Sequence, residues 1–445
     1  MSGRSDLGAL ARASLAVDDR FGIVRQVVVH EVGPSDPPFF FATAQLASTR
    51  PFSDAVASTL NGGAGTTSES ALLGAIGEAV ERYAIGAYRE EDTFRASFRE
   101  VERVALDPSR LIFFADEQYS WERFPYVRFS SEAPLSWVAG VSLLDGSEKL
   151  VPAARVFTPY LPPGAGERLL QSTSTGAACH VEQEQAALLG LYECIERDAV
   201  MIAWLNRLPI PALDPGALED GELASAVERC RGIDLEVRLF DATTDVGVPT
   251  VLAVLSSPLG IVPSSAVGAA TRSTMVEAAR KALIESAHTF FWIHTRCRVS
   301  DFPRFRSDYA DVVSLDQHSL LYGDPRMRAK LGFLIEQAGT EASGRAFSRP
   351  RNAEEAAGAD EMARCREALR RLGLEAVVID VTPRDVADLG LAVVRVVVAG
   401  LHPLWGGHHV RCLGGTRVGT VPVALGYVSQ PLRPAELNAD PHPLP

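Results

Sequence analysis

The chain carries one short phrase twice. Glu78-Ala-Val-Glu81-Arg82 and Glu193-Cys-Ile-Glu196-Arg197 each place two carboxylates at i, i+3 with an arginine directly after them. Each phrase lies in an apolar run of helical spacing, Ala71 to Ala87 and Ala186 to Leu205. Residues i and i+3 share a helix face, so each phrase points two like charges the same way. Two carboxylates about 4 Å apart at an effective dielectric near 20 repel by about 4 kcal/mol. A fold that buries two such pairs must supply positive charge, and divalent cations are an economical source. Four carboxylates around hard cations point to Mg²⁺ with a phosphate ligand. Arg82 and Arg197 are the competing source, as partners in purely structural ion pairs. Adjacent helical residues project about 100° apart, so neither arginine is expected to serve both glutamates of its own pair easily.

Small residues precede both phrases. Asn61-Gly-Gly-Ala-Gly-Thr-Thr67 reads as a Gly-rich turn entering a helix, a setting whose backbone N–H groups suit phosphate. It lacks the Gly-Lys-Ser/Thr of a P-loop. Ser172-Thr-Ser-Thr-Gly-Ala-Ala178 leads into a helix bearing Glu182 and Glu184. A third apolar helix carries Arg280, Lys281, Glu285 and His288. Lys281 and Glu285 at i, i+4 read most simply as a surface ion pair.

β-branched runs predict strands over Gly22–Glu31, Leu235–Asp241, Val248–Ser256, Ala376–Thr382 and Leu391–Ala399. Apolar periodicity predicts helices over Glu69–Tyr88, Glu182–Arg207, Leu218–Arg231, Met275–Thr295 and Asp360–Leu372. The alternation indicates a mixed α/β chain. Thr158–Glu167 reads as a Pro/Gly loop. Thr340–Asp360, polar and Ala-rich, reads as an exposed connector or mobile insertion. No clean domain boundary is marked.

Among 445 residues, 47% are hydrophobic and 22% charged, as in an ordinary globular protein, and the formal charge of −13 disfavours nonspecific binding to nucleic acid or anionic membranes. The six cysteines form no CxxC pair, which argues against a zinc site or a disulfide framework and fits reduced thiols in a cytoplasm. The most apolar stretch, Leu389 to Leu401, is interrupted by Arg395, is too short to span a bilayer, and reads as a buried strand.

These blocks resemble the YcaO family, ATP-dependent enzymes that activate peptide-backbone amides. The resemblance rests on Gly62 to Ala84, Ser172 to Trp204, Glu277 to His288 and Val393 to Val418, together with the terminal Pro441-His-Pro-Leu-Pro445. It implies a YcaO-type α/β fold, with mixed β-sheets and helices packed around a central ATP/Mg site. Residues 1–60 would be integrated with the core, 61–432 would form the catalytic domain, and 433–445 a Pro-rich tail entering the active site. Glu78, Glu81, Glu193 and Glu196 fall on the family's Mg²⁺ carboxylates. Gly63, Gly65, Glu184, Gln185, Arg197, Lys281 and Glu285 fall on its nucleotide-binding positions. Arg197, Lys281 and the Pro445 carboxylate are the catalytic candidates, the last as a base.

The chain also departs from the family pattern. Ala64 stands where many members have lysine, Gly74 replaces a frequent serine, Val181 an asparagine and Gln185 a glutamate, and Lys281 stands where arginine is common. The activity implied is conversion of Cys, Ser or Thr in a ribosomal precursor peptide to azolines. It implies a separate ThiF/E1-like leader-binding partner, because only a short segment precedes the Gly-rich block. An azoline dehydrogenase and a homodimer within a larger complex complete the expected assembly. The competing readings are a YcaO enzyme forming a thioamide or macroamidine, and a non-catalytic scaffold that has lost ATP binding. His408 and His409 read as a loop contact or a partner-facing surface, and Trp405 as packing.

Overall fold

The structure is a computed structural model that describes residues 2–52, 54, 56–258, 262–299, 302–336 and 360–445. The expected connector at 340–360 falls almost wholly outside the described residues. The chain divides into two compact units. The first comprises Met1–Glu31, Phe40–Cys194 and Leu369–Leu401, and the second Val32–Phe39, Ile195–Ala368 and His402–Pro445.

The first unit holds two antiparallel sheets. One has the order β1 (Val24–Val29), β2 (Phe40–Leu46), β3 (Leu60–Gly65). The helices α1 (Ser2–Ser14) and α2 (Ser68–Gly86) complete this part. Its core is built from Ala42, Ala44, Leu46, Ala71, Ala75, Ile76, Ala79 and Val80. The other sheet contains β4 (Phe94–Ser97), β5 (Pro134–Ser142), β6 (Glu148–Pro152) and β7 (Ala177–His180), with β12 (Glu375–Asp380) and β13 (Ala392–Ala399). Its order is β4-β5-β12-β13-β7, and β6 pairs with the other side of β5. Trp137, Val151, Val377, Ile379 and Val397 form its core.

The predicted Gly-rich turn is instead strand β3, paired along its length with β2 from Phe40↔Gly65 to Gln45↔Leu60. Its glycines answer to packing. A Cβ on Gly63 would stand 2.1 Å from the Ala71 carbonyl oxygen and 2.3 Å from the Ala75 nitrogen of α2. One on Gly65 would stand 1.9 Å from Ser70 Oγ. The helix begins cleanly after this strand because Thr67 and Ser70 form a reciprocal capping box. Gly63→Ala is expected to lower stability by about 1–3 kcal/mol, read as a reduced urea midpoint, because the methyl group meets backbone that cannot step aside.

In the second unit, β8 (Ala212–Leu213), β9 (Glu236–Asp241), β10 (Thr250–Ser256) and β11 (Ser265–Thr271) form an antiparallel sheet in the order β11-β10-β9-β8. Every residue of β10 and β11 is buried. A long helix, Met275–Val299, supplies Ala278, Ala279, Ala282, Leu283 and Ile293 to the core. The helix Gln183–Leu205 begins in the first unit and continues into the second. All six cysteines are free thiols. Among the described residues, no helix is long and apolar enough to cross a membrane.

Candidate active site

In the first unit one carboxylate of each repeated phrase, Glu78 in the first and Glu193 in the second, is held by the same device. The Gly62 N–H donates to Glu78 Oε2 at 3.0 Å, and the Gly176 N–H donates to Glu193 Oε2 at 2.9 Å. The donor precedes its carboxylate by 16 residues in one case and 17 in the other. Each phrase also pairs its arginine with the adjacent glutamate, Arg82 with Glu81 at 2.9 Å and Arg197 with Glu196 at 3.0 Å. Contrary to the expectation from helical projection, Arg82 serves both glutamates of its pair, since it also donates to Glu78 Oε1 at 3.1 Å. It lies one turn beyond Glu78, and its long forked side chain bridges the two carboxylates.

The charge balance around Glu81 remains unfavourable even so. Its side chain is only 15% exposed. Burial pushes its carboxyl up to about 8; Arg82 pulls it down, and the charges of Glu193 and Glu78 push it further up. Burial works against the Arg82 guanidinium, yet Glu81, Glu78 and Glu193 together raise its pKa. These oxygens suit a hard cation, and added positive charge would reverse the penalty on Glu81. Among the described residues, no three His, Cys, Asp or Glu side chains form a group that could hold a metal ion. Mg²⁺ does not require such a cage, because it keeps several waters and binds through one or two carboxylates plus phosphate oxygens.

Sequence reasoning noted Arg395 only as an interruption in an apolar strand. The side chain is 2% exposed within β13. Its Nε donates to the Arg155 carbonyl at 2.9 Å, and Nη2 donates to the Thr173 carbonyl. A charged residue in the centre of a Val-rich strand was the available signal, since a buried arginine needs partners.

Glu184 and Gln185 lie exposed in the first turn of the Gln183–Leu205 helix. Along that helix, Glu196 follows Glu193 by one turn and is 8% exposed. Asp198 is fully buried and bound by Arg417, with Nε–Oδ1 at 2.9 Å and Nη2–Oδ2 at 2.7 Å. Arg417 also meets Asp245 at 2.6 and 3.2 Å. Lys281 and Glu285 form the expected i, i+4 ion pair, half-buried rather than on an open surface. Burial opposes the Glu285 charge, but Lys281, His288 and Arg272 outweigh it and bring the carboxyl down to about 2.

The Pro-rich tail is threaded into the second unit. Tyr322 donates to the Pro441 carbonyl at 2.6 Å, and Trp204 Nε1 donates to that of Asp440 at 3.1 Å. The His442 and His318 rings stack at 3.8 Å, and His442 Nε2 meets the Trp405 carbonyl oxygen at 2.8 Å. Pro441 to Leu444 are buried and Pro445 is exposed. Trp405 is packing, at 1% exposure. His408 is buried against Tyr309, whereas His409 is exposed.

Residues 62–402 match the family described as YcaO cyclodehydratase, ATP- and Mg²⁺-binding, and the chain belongs to the YcaO family. The fold is similar to that of a heterocyclase solved in complex with substrate and cofactor, with a TM-score of 0.78 at 23% identity, covering 99% of this chain and 57% of that one. YcaO from Methanopyrus kandleri bound with AMPPCP and Mg²⁺ aligns with a TM-score of 0.59 at 22% identity, over 89% and 90% of the two chains. An uncharacterized protein of Methanothermobacter thermautotrophicus is 32% identical over 209 residues, 47% of this chain and 51% of that protein. One in the tfuA 3′ region of Rhizobium leguminosarum bv. trifolii is 32% identical over 128 residues, 27% of this chain and 29% of that protein. The chain thus spans about half or less of the length of these curated relatives.

Proposed function

We propose that the chain is an ATP-dependent peptide cyclodehydratase that converts Cys, Ser or Thr of a ribosomal precursor peptide to azolines. The observation that carries this reading is the partly buried set of Glu78, Glu81 and Glu193, in which the neighbouring glutamates push the Glu81 carboxyl up, in a chain of the YcaO family. A backbone amide is a poor electrophile with a poor leaving group, so the protein's work is positioning and charge neutralisation. Bound Mg²⁺-ATP supplies the phosphoryl group that turns the amide oxygen into a leaving group. Glu78, Glu81 and Glu193 supply the carboxylates that would hold Mg²⁺, one or two to an ion, with Glu196 one turn further along the same helix. On the family resemblance Arg197 and Lys281 would balance phosphate charge, and Glu285 is paired with Lys281. Pro445 takes the proton-accepting role on the family resemblance alone. The packing of Gly63 and Gly65 against α2 accounts for those glycines without a nucleotide contact.

A ThiF/E1-like partner presents the precursor, and an azoline dehydrogenase follows where azoles are the product. Six free cysteines support a cytoplasmic setting. The test is reconstitution with precursor and partner. ATP hydrolysis is expected to depend on both, with loss of one water per ring by mass spectrometry. ATP turnover without water loss would favour a thioamide or macroamidine product. Absence of Mg²⁺-ATP binding by calorimetry, with the partner present, would favour the scaffold reading raised by Ala64, Val181 and Gln185.

A further inference from the structure

Arg395 is connected to the carboxylate set through one short segment. Thr173 begins a tetrapeptide that ends at Gly176, and both ends are fastened to β13. At the first end, the Thr173 carbonyl accepts from Arg395 and also from Thr158 Oγ1, at 2.8 Å. At the second, the Gly176 carbonyl accepts the Val396 N–H at 2.7 Å. Gly176 has φ +88°, and a Cβ there would stand 2.1 Å from the Val396 carbonyl oxygen. This close, left-handed passage aims the Gly176 N–H at Glu193 Oε2. The Arg395 side chain makes no ion pair among the described residues, so its charge is not spent on a single carboxylate. Burial brings its pKa down to about 10; Cys194, Glu193 and Glu81 oppose that, and Arg155 adds to it. The group therefore stays cationic at neutral pH.

We propose that Arg395 is a positioning residue for the metal-holding carboxylates: it fixes the Thr173–Gly176 segment and, through the Gly176 N–H, the carboxylate of Glu193. The inference rests on the metal reading given under Proposed function. It separates two uses of a buried arginine, one that only closes a polar gap in the sheet and one that sets a ligand's geometry. Groups that orient a metal ligand through a hydrogen bond typically matter by about 10- to 100-fold in affinity.

The probe is the Mn²⁺ complex of a non-hydrolysable ATP analogue, titrated by calorimetry into the full chain without peptide. Arg395→Gln is expected to weaken binding of this complex about 10-fold or more. Thr158→Val, which removes the second donor on the same carbonyl and leaves every charge in place, is expected to weaken it in the same direction by less. In a Glu193→Gln background, Arg395→Gln should add little further loss, because its effect runs through that carboxylate. A folded Arg395→Gln variant with lower thermal stability and unchanged affinity for the complex overturns the proposal, as does full additivity with Glu193→Gln. If Arg395→Gln does not fold, an unchanged affinity in Thr158→Val overturns it. Wild-type protein that does not bind the complex overturns the metal reading itself, a result distinguishable from all of these.

Discussion

Replacing Glu81 with glutamine is expected to abolish Mg²⁺-dependent ATP turnover, by about 10³-fold or more, while making the metal-free protein more stable. The second half follows from the sign of the pKa shift. The Glu81 carboxyl moves up from an ordinary 4.5 to about 8 on folding, first through burial and then through Glu193 and Glu78, against the pull of Arg82. A carboxyl raised by folding favours the native state while protonated, and that advantage is lost as pH rises through the folded value. Between about pH 4.5 and pH 8 the wild-type chain therefore accumulates a penalty on the order of a few kcal/mol, which glutamine avoids. Thermal midpoints from pH 5 to 8 should fall more steeply for wild type than for Glu81→Gln. Mg²⁺ should raise the wild-type midpoint more at pH 8 than at pH 5. Retained turnover, or a variant less stable than wild type at pH 8, would contradict this account.

The second large effect is structural. Arg417→Met is expected to cost about 3–5 kcal/mol, read as a lowered urea midpoint. Arg417 neutralises two carboxylates at once. Asp198, which has no exposed surface, has its pKa raised by burial, against the pull of this arginine and of the His402 N–H at 2.8 Å. Without Arg417 an aspartate would remain in the interior with its main counter-charge gone. Adding Asp198→Asn to Arg417→Met should recover part of the loss, because it removes the charge left stranded. A double variant no better than Arg417→Met would show that packing by the arginine stem dominates instead.

The elements legible in the sequence were those whose side chains advertise their period. β1, β9, β10, β12 and β13 are rich in Val, Leu and Ile, and the long helices carry apolar residues at helical spacing. β3 and β11 were hidden for one shared physical reason. Both pass so close to a helix that they need small residues: Gly63 in β3 against Ala71 and Ala75, and Gly268 in β11, where a Cβ would lie 2.3 Å from the Ser286 nitrogen. Such sequences, LNGGAG and SAVGAAT, lack the β-branched and aromatic signature of a strand. The carboxylates of the site were visible because their spacing is local. Their supports were not: Arg395 acts on Thr173 across 222 positions, and Arg417 on Asp198 across 219. Arg82 was misjudged because projection angles describe Cβ directions, whereas a guanidinium sits several bonds further out.

Gly62 and Gly176 grip Glu78 and Glu193 with main-chain hydrogens, and this limits what mutation can do to the site. A side-chain clamp disappears with a single codon change. A peptide N–H survives nearly every codon and is deleted outright by proline alone. Evolutionary drift at positions 62 and 176 can therefore shift these two carboxylates only by displacing the backbone, and at position 176 any side chain does so, because its Cβ would stand 2.1 Å from the Val396 carbonyl oxygen.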